Sequence, residues 1–168
     1  MENALEVRGL TKHYRGFTLD GVSFSLPTGC IMGFIGENGA GKSTTIRLLL
    51  GLARADSGRV RLLGEDPESA GTDLREHLGV VMDDCCVPET LCLRDLRSVL
   101  RAGYRSFDEA RFKALAERFE LPERKSVKDY SRGMRMKLSL TAALSHDCRL
   151  LILDEATSGL DPVVRDEL

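Results

Sequence analysis

The octapeptide GENGAGKS, residues 36–43, limits the fold more than any other stretch of the chain. Its spacing is G-x-x-x-x-G-K-[ST]. It lies between an apolar run, CIMGFI at 30–35, and a helical pattern from Lys42 to Leu52. The run reads as a strand and the helix buries IRLLLGL, so the glycines fall at a strand-to-helix turn. In that context backbone N–H groups converge on phosphate oxygens at a helix N-terminus. Gly36, Asn38, Gly39, Ala40, Gly41, Lys42, Ser43 and Thr44 form the expected nucleotide-binding set. Lys42 is expected to reach the terminal phosphates, and the Ser43 hydroxyl to ligate Mg²⁺. An ordinary glycine-rich turn is the plainer reading, but it leaves the Lys-Ser pair unexplained.

A second motif, LLILDE at 150–155, completes a nucleotide site. Four apolar residues predict a buried strand that delivers Asp154 and Glu155 at its C-terminal end, where open α/β sheets bind ligands. Asp154 is expected to hold the metal through water, and Glu155 to polarise an attacking water as general base. By itself such a stretch is only a strand end. After a phosphate loop it points to a nucleoside triphosphatase.

Around these motifs, residues 3–7, 22–26, 58–64 and 78–82 read as short strands, and 90–146 as mainly helical. Leu93, Leu96 and Leu100 share one helical face. SFDE at 106–109 has capping-box spacing for a helix bearing Phe112, Leu115 and Phe119 and ended by Pro122. A further helix is expected from about Arg132 to Ser145. The pattern predicts an α/β domain with a mostly parallel sheet and a separate antiparallel piece. A net charge of −2 and a pI near 6.0 give no basic field, so no nucleic acid is expected. Five cysteines without CxxC spacing fit free thiols in a reducing compartment better than a disulfide framework. No signal peptide or apolar stretch of membrane-spanning length is present, so the chain is expected in the cytoplasm, with any membrane role through a partner.

The motif order makes the resemblance specific. YSRGM at 130–134 resembles the LSGGQ signature of ABC-type ATPases, and SGLD at 158–161 is similar to their D-loop. Phosphate loop, helical insert, signature, acidic strand and D-loop follow one another as in that family, closest to ATP-binding subunits of bacterial ABC-2-type exporters. The resemblance implies a P-loop NTPase (RecA-like) core at 30–57, 66–87 and 147–168. It adds a small antiparallel β part at 1–29 and 58–65 and a helical subdomain at 88–146. It also implies ATP and Mg²⁺, and a second ATP-binding subunit docked head to tail with two ATP molecules between them. Integral membrane permease subunits would complete the assembly, placing the chain on the cytoplasmic face of the membrane.

In such a pair Ser131 and Gly133 would meet the γ-phosphate bound by the other subunit; alone, they read as a polar helix cap. Arg132 stands where the family usually has glycine. Tyr14 falls where the family places an aromatic that stacks on adenine, although a Tyr near a turn is often a packing residue. Asp83 occupies the position of a loop-leading glutamine that touches the metal; a carboxylate there can accept from metal-bound water but cannot donate. Arg94, Arg97 and Arg101 share a helical face, read as solvated or as a contact for a membrane subunit.

The family continues past SGLD with a strand bearing a histidine, a strand that lies between the phosphate-loop and acidic strands. The chain is therefore expected to be a truncated form with an incomplete sheet, two unpaired strand edges and impaired hydrolysis. Competing functions are a soluble non-transport ABC ATPase and a nucleotide-sensing fragment. Only 48 positions separate Asp83 from Ser131, too few for a long coiled coil, which favours transport.

Overall fold

A computed structural model describes residues 2–154. They form two compact units, one up to Arg75 and one from Glu76 onward.

In the first unit, β1 (Asn3–Tyr14) and β2 (Phe17–Pro27) make a hairpin closed by Arg15 and Gly16. Both strands are longer than the apolar runs suggest, because polar residues on the solvent face continue the ladder. β3 (Ser57–Leu62) pairs with the other edge of β1, giving the antiparallel order β2-β1-β3. Leu5 lies opposite Leu62 and Val7 opposite Val60, and all four are buried. The second residue of β3 is a glycine by necessity. Gly58 has φ 95°, and a Cβ there would lie 2.4 Å from the Gly9 carbonyl oxygen.

Helix α1 (Lys42–Leu49) packs against β3 and buries Ile46, Leu48 and Leu49. It stops short of the expected Leu52 because Gly51, at φ 66°, turns the chain. The expected strand at 30–35 is absent. Those residues pair with no strand among the described residues, and Ile31 and Ile35 are fully exposed. An apolar run becomes a strand only when a neighbour takes its hydrogen bonds. Here Phe34 rests on Phe24, 5.5 Å between ring centroids, without backbone pairing.

A short helix α2 (Thr72–Glu76) spans the boundary between the units in sequence. In the second unit, β4 (Leu78–Val81) runs parallel to β5 (Leu150–Leu153), with Leu78 opposite Leu150 and Val81 opposite Leu153. Neither pairs with a third strand among the described residues. Between them come α3 (Leu93–Gly103), α4 (Glu109–Arg118), a 3₁₀ turn (Val127–Asp129) and α5 (Arg132–Leu144). Their apolar faces meet in one core that includes Val81, Leu96, Phe112, Val127 and Leu138. Each such side chain stabilises the unit by about 1.5–3 kcal/mol relative to exposure.

The capping of α4 departs from expectation. Asp108, not Ser106, caps it and accepts from the Arg111 N–H at 2.9 Å. Ser106 instead gives its N–H and hydroxyl to the Glu76 carboxylate, both at 2.6 Å. A capping box does occur, at α3: Asp95 accepts from the Cys92 N–H at 3.1 Å and from its thiol at 3.0 Å. Glu120, left-handed at φ 54°, ends α4 before Pro122 is reached. All five cysteines are free.

Candidate nucleotide site

The glycine loop and Tyr14 belong to the first unit. Gly41 caps α1 in the left-handed region, φ 94°. A Cβ there would lie 2.8 Å from Phe17 Cζ and 3.0 Å from Leu19 Cδ1, so the loop is pressed against β2 as only glycine allows. Thr45 closes the first turn of the helix, its N–H and hydroxyl both donating to the Gly41 carbonyl, at 2.8 and 2.9 Å. Lys42 folds over the loop, its Nζ donating to the carbonyls of Gly36 at 2.8 Å and Glu37 at 3.0 Å. Ser43 lies in the first turn, and that turn carries no acidic residue. The positive end of the helix dipole is therefore not offset by a local carboxylate, which suits an anionic ligand.

Tyr14 ends β1 directly opposite Phe17, the residue whose ring touches Gly41. The hairpin thus brings the aromatic candidate and the phosphate loop to one end of the sheet. Tyr14 is 46% exposed, with Lys12 Nζ 5.7 Å from its ring centroid.

The second unit carries the remaining described candidates. Asp154 follows β5, is 5% exposed, and donates its N–H to the Val81 carbonyl at 2.8 Å, extending the parallel ladder by one residue. Ser131 caps α5 and accepts from the Met134 N–H at 3.2 Å; Gly133 lies in the first turn. Asp83 is ion-paired with Arg132. Arg135 braces the segment before α5, donating to Glu89 at 2.8 Å, the Lys128 carbonyl at 3.1 Å and the Tyr130 carbonyl at 3.4 Å. A cleft of about 510 Å³ lies among Asp83, Cys85, Tyr130, Arg132, Arg135 and Ser139. Sequence spacing did not signal the partners of Asp83 or Arg135, since each lies more than forty positions away or on a backbone carbonyl.

Glu155 and the SGLD segment lie outside the described residues. Arg97 sits 3.5 Å from Glu109, while Arg94 and Arg101 are exposed. His146 is buried, its Nε2 3.1 Å from the Leu78 carbonyl and its ring stacked on Tyr104 at 4.0 Å. Among the described residues, no three His, Cys, Asp or Glu side chains cluster as a metal site, and no helix is long and apolar enough to cross a membrane.

The family model described as ABC transporter matches residues 19–158, most of the chain. The chain belongs to the ABC transporter family. Among its ABC transporter relatives is an uncharacterized ABC transporter ATP-binding protein, YhcH of Bacillus subtilis (strain 168), 35% identical over all of this chain and 57% of its own length. The daunorubicin/doxorubicin resistance ATP-binding protein DrrA of Streptomyces peucetius is 38% identical over 98% of this chain and 52% of its own. The chain thus spans little more than half the length of either relative. A solved structure of an ATP binding subunit of an ABC transporter superposes with TM-score 0.86 at 28% identity, covering 97% of this chain and 70% of that one. The fold is therefore the P-loop nucleotide-binding fold of ABC transporter ATP-binding domains, with its antiparallel sheet and helical region.

Proposed function

We propose that the chain is the nucleotide-binding part of a subunit that hydrolyses ATP to drive an ABC exporter. The observation that carries this reading is the glycine loop at the start of α1, with Lys42 folded across it and no acid in the first turn. Its charge and donors fit a triphosphate with its metal. Lys42 would exchange the Gly36 and Glu37 carbonyls for terminal phosphate oxygens, and the loop amides would hold the remaining ones. Tyr14 would stack on adenine. In the first unit Ser43 is the residue the family resemblance assigns to Mg²⁺; in the second it assigns Asp154 and, more weakly because Arg132 already offsets its charge, Asp83. When bound, Mg²⁺ neutralises charge on the β- and γ-phosphates. Glu155 would take the proton of the attacking water.

A head-to-tail dimer belongs to the same reading, with the loop of one copy served by the signature motif of the other. Ser131 and Gly133, at the N-terminus of α5, would donate to the γ-phosphate held by the other copy. Permease subunits would anchor the pair at the cytoplasmic face of the membrane. The helical subdomain at 88–146, set between core segments, is the part that would carry the signature motif to that partner. In the isolated chain hydrolysis is expected to be slow, since residues 30–35, which lead into the loop, pair with no described strand.

The test is calorimetric titration of ATP, with and without Mg²⁺, into the chain and its Lys42→Ala variant. Binding that Mg²⁺ strengthens and Lys42→Ala abolishes is expected. Equal binding by both proteins would overturn the reading.

A further inference from the structure

Regular pairing between β1 and β3 ends before the hairpin tip does. Thr11 lies opposite Ser57 in the last register pair, and the Asp56 N–H donates to the Thr11 carbonyl at 2.9 Å. Beyond that point Lys12, His13 and Tyr14 project past β3. One side chain continues the tie. The Asp56 carboxylate accepts from the His13 backbone N–H at 2.7 Å and from Lys12 Nζ at 2.8 Å, and lies 3.1 Å from His13 Nδ1. These donors, the Lys12 ammonium foremost, hold its pKa down at about 2, so it is ionised throughout the physiological range.

The same ammonium lies 5.7 Å from the centroid of the Tyr14 ring, within reach of a cation–π contact. Asp56 thus fixes both the backbone next to Tyr14 and the cation beside its ring. With 46% of Tyr14 exposed, ring surface is left for a planar partner.

We propose that Asp56 is a positioning residue for Tyr14, holding the ring in place for the base of a purine nucleoside triphosphate. The inference rests on the stacking role proposed for Tyr14. Asp56 itself touches neither base nor phosphate. Its loss leaves Tyr14 present but badly placed, so base recognition falls while phosphate binding does not.

Titration of the whole chain with Mg²⁺-ATP and with Mg²⁺-tripolyphosphate separates the two. Tyr14→Ala is expected to weaken ATP about tenfold, by loss of one base–aromatic stack, and to leave tripolyphosphate unchanged. Asp56→Ala should weaken ATP in the same selective way by a smaller factor, and the double variant should bind ATP no more weakly than Tyr14→Ala. Asp56→Asn retains an acceptor for the His13 N–H and provides a milder second variant; it too should lose ATP selectively. If Tyr14→Ala does not separate the ligands, the stacking role fails and the inference with it. If Tyr14→Ala separates them and both Asp56 variants bind like the parent, lose both ligands equally, or add fully to Tyr14→Ala, only the inference is overturned.

Discussion

Arg132 donates to the carboxylate of Asp83, joining two residues 49 positions apart in the sequence. By the family resemblance, Arg132 would stand at a glycine position and Asp83 at a glutamine position. The two charges offset each other within the second unit.

Both partners are about half exposed, so the pair is screened by water. Asp83→Asn and Arg132→Gly should each lower stability by less than about 1 kcal/mol, and the double-mutant coupling should stay below that value. Urea unfolding of the four proteins measures it. A coupling several times larger would mean that the pair is shielded from solvent.

Two glycines of the first unit share a left-handed backbone and differ in their surroundings. A Cβ on Gly64, φ 86°, would meet nothing within 4 Å, whereas a Cβ on Gly58 would enter the Gly9 carbonyl. Gly64→Ala should cost about 1 kcal/mol, from the backbone alone, and Gly58→Ala at least about 3 kcal/mol through added strain. Equal costs in thermal unfolding would contradict the close approach of Gly58 in β3 to the Gly9 carbonyl in β1.

Asp56 gives an acid-dependent signature. Its pKa in the folded chain is about 2, below the ordinary 3.8, so its stabilising effect is full above about 4 and disappears as pH falls through about 2. The stability difference between the parent and Asp56→Asn should be full near about pH 5 and shrink progressively below about 4. A difference that grows on acidification below about pH 5 has the wrong sign for a depressed carboxyl. Denaturant midpoints across this range decide the matter.

Ser106 joins three segments of the second unit. It donates twice to Glu76, holding that carboxyl below its usual range, and its hydroxyl accepts from the Asp147 N–H at 3.1 Å. Ser106→Ala removes both hydroxyl contacts and should cost about 1–3 kcal/mol, while nucleotide affinity stays unchanged. Chemical denaturation and the ATP titration together check it. A loss of affinity would tie this cluster to the site.

The phosphate loop was legible because its chemistry is local: eight consecutive residues set both its turn and its donors. β4, β5 and the start of α5 were legible for a similar reason, as short apolar runs or a Ser cap beside a periodic helix. The reading of 30–35 as a strand failed on a non-local condition, since apolar residues supply the tendency and only a neighbouring strand supplies the hydrogen bonds. The cap of α4 was misassigned because Glu76, thirty positions upstream, competes for Ser106. The partners of Asp56 and Asp83 lie too far along the chain for any spacing rule to reveal them.

The uncovered apolar residues also govern how the isolated chain behaves in a test tube. Ile31 and Ile35 are wholly exposed, and Leu151 and Leu153 are 38% and 46% exposed on a strand that carries only one neighbour among the described residues. Such surface draws chains together as concentration rises, by edge pairing and by loss of apolar area to water. Light scattering should therefore climb with protein concentration at fixed salt, and a net charge of only −2 offers little repulsion against it.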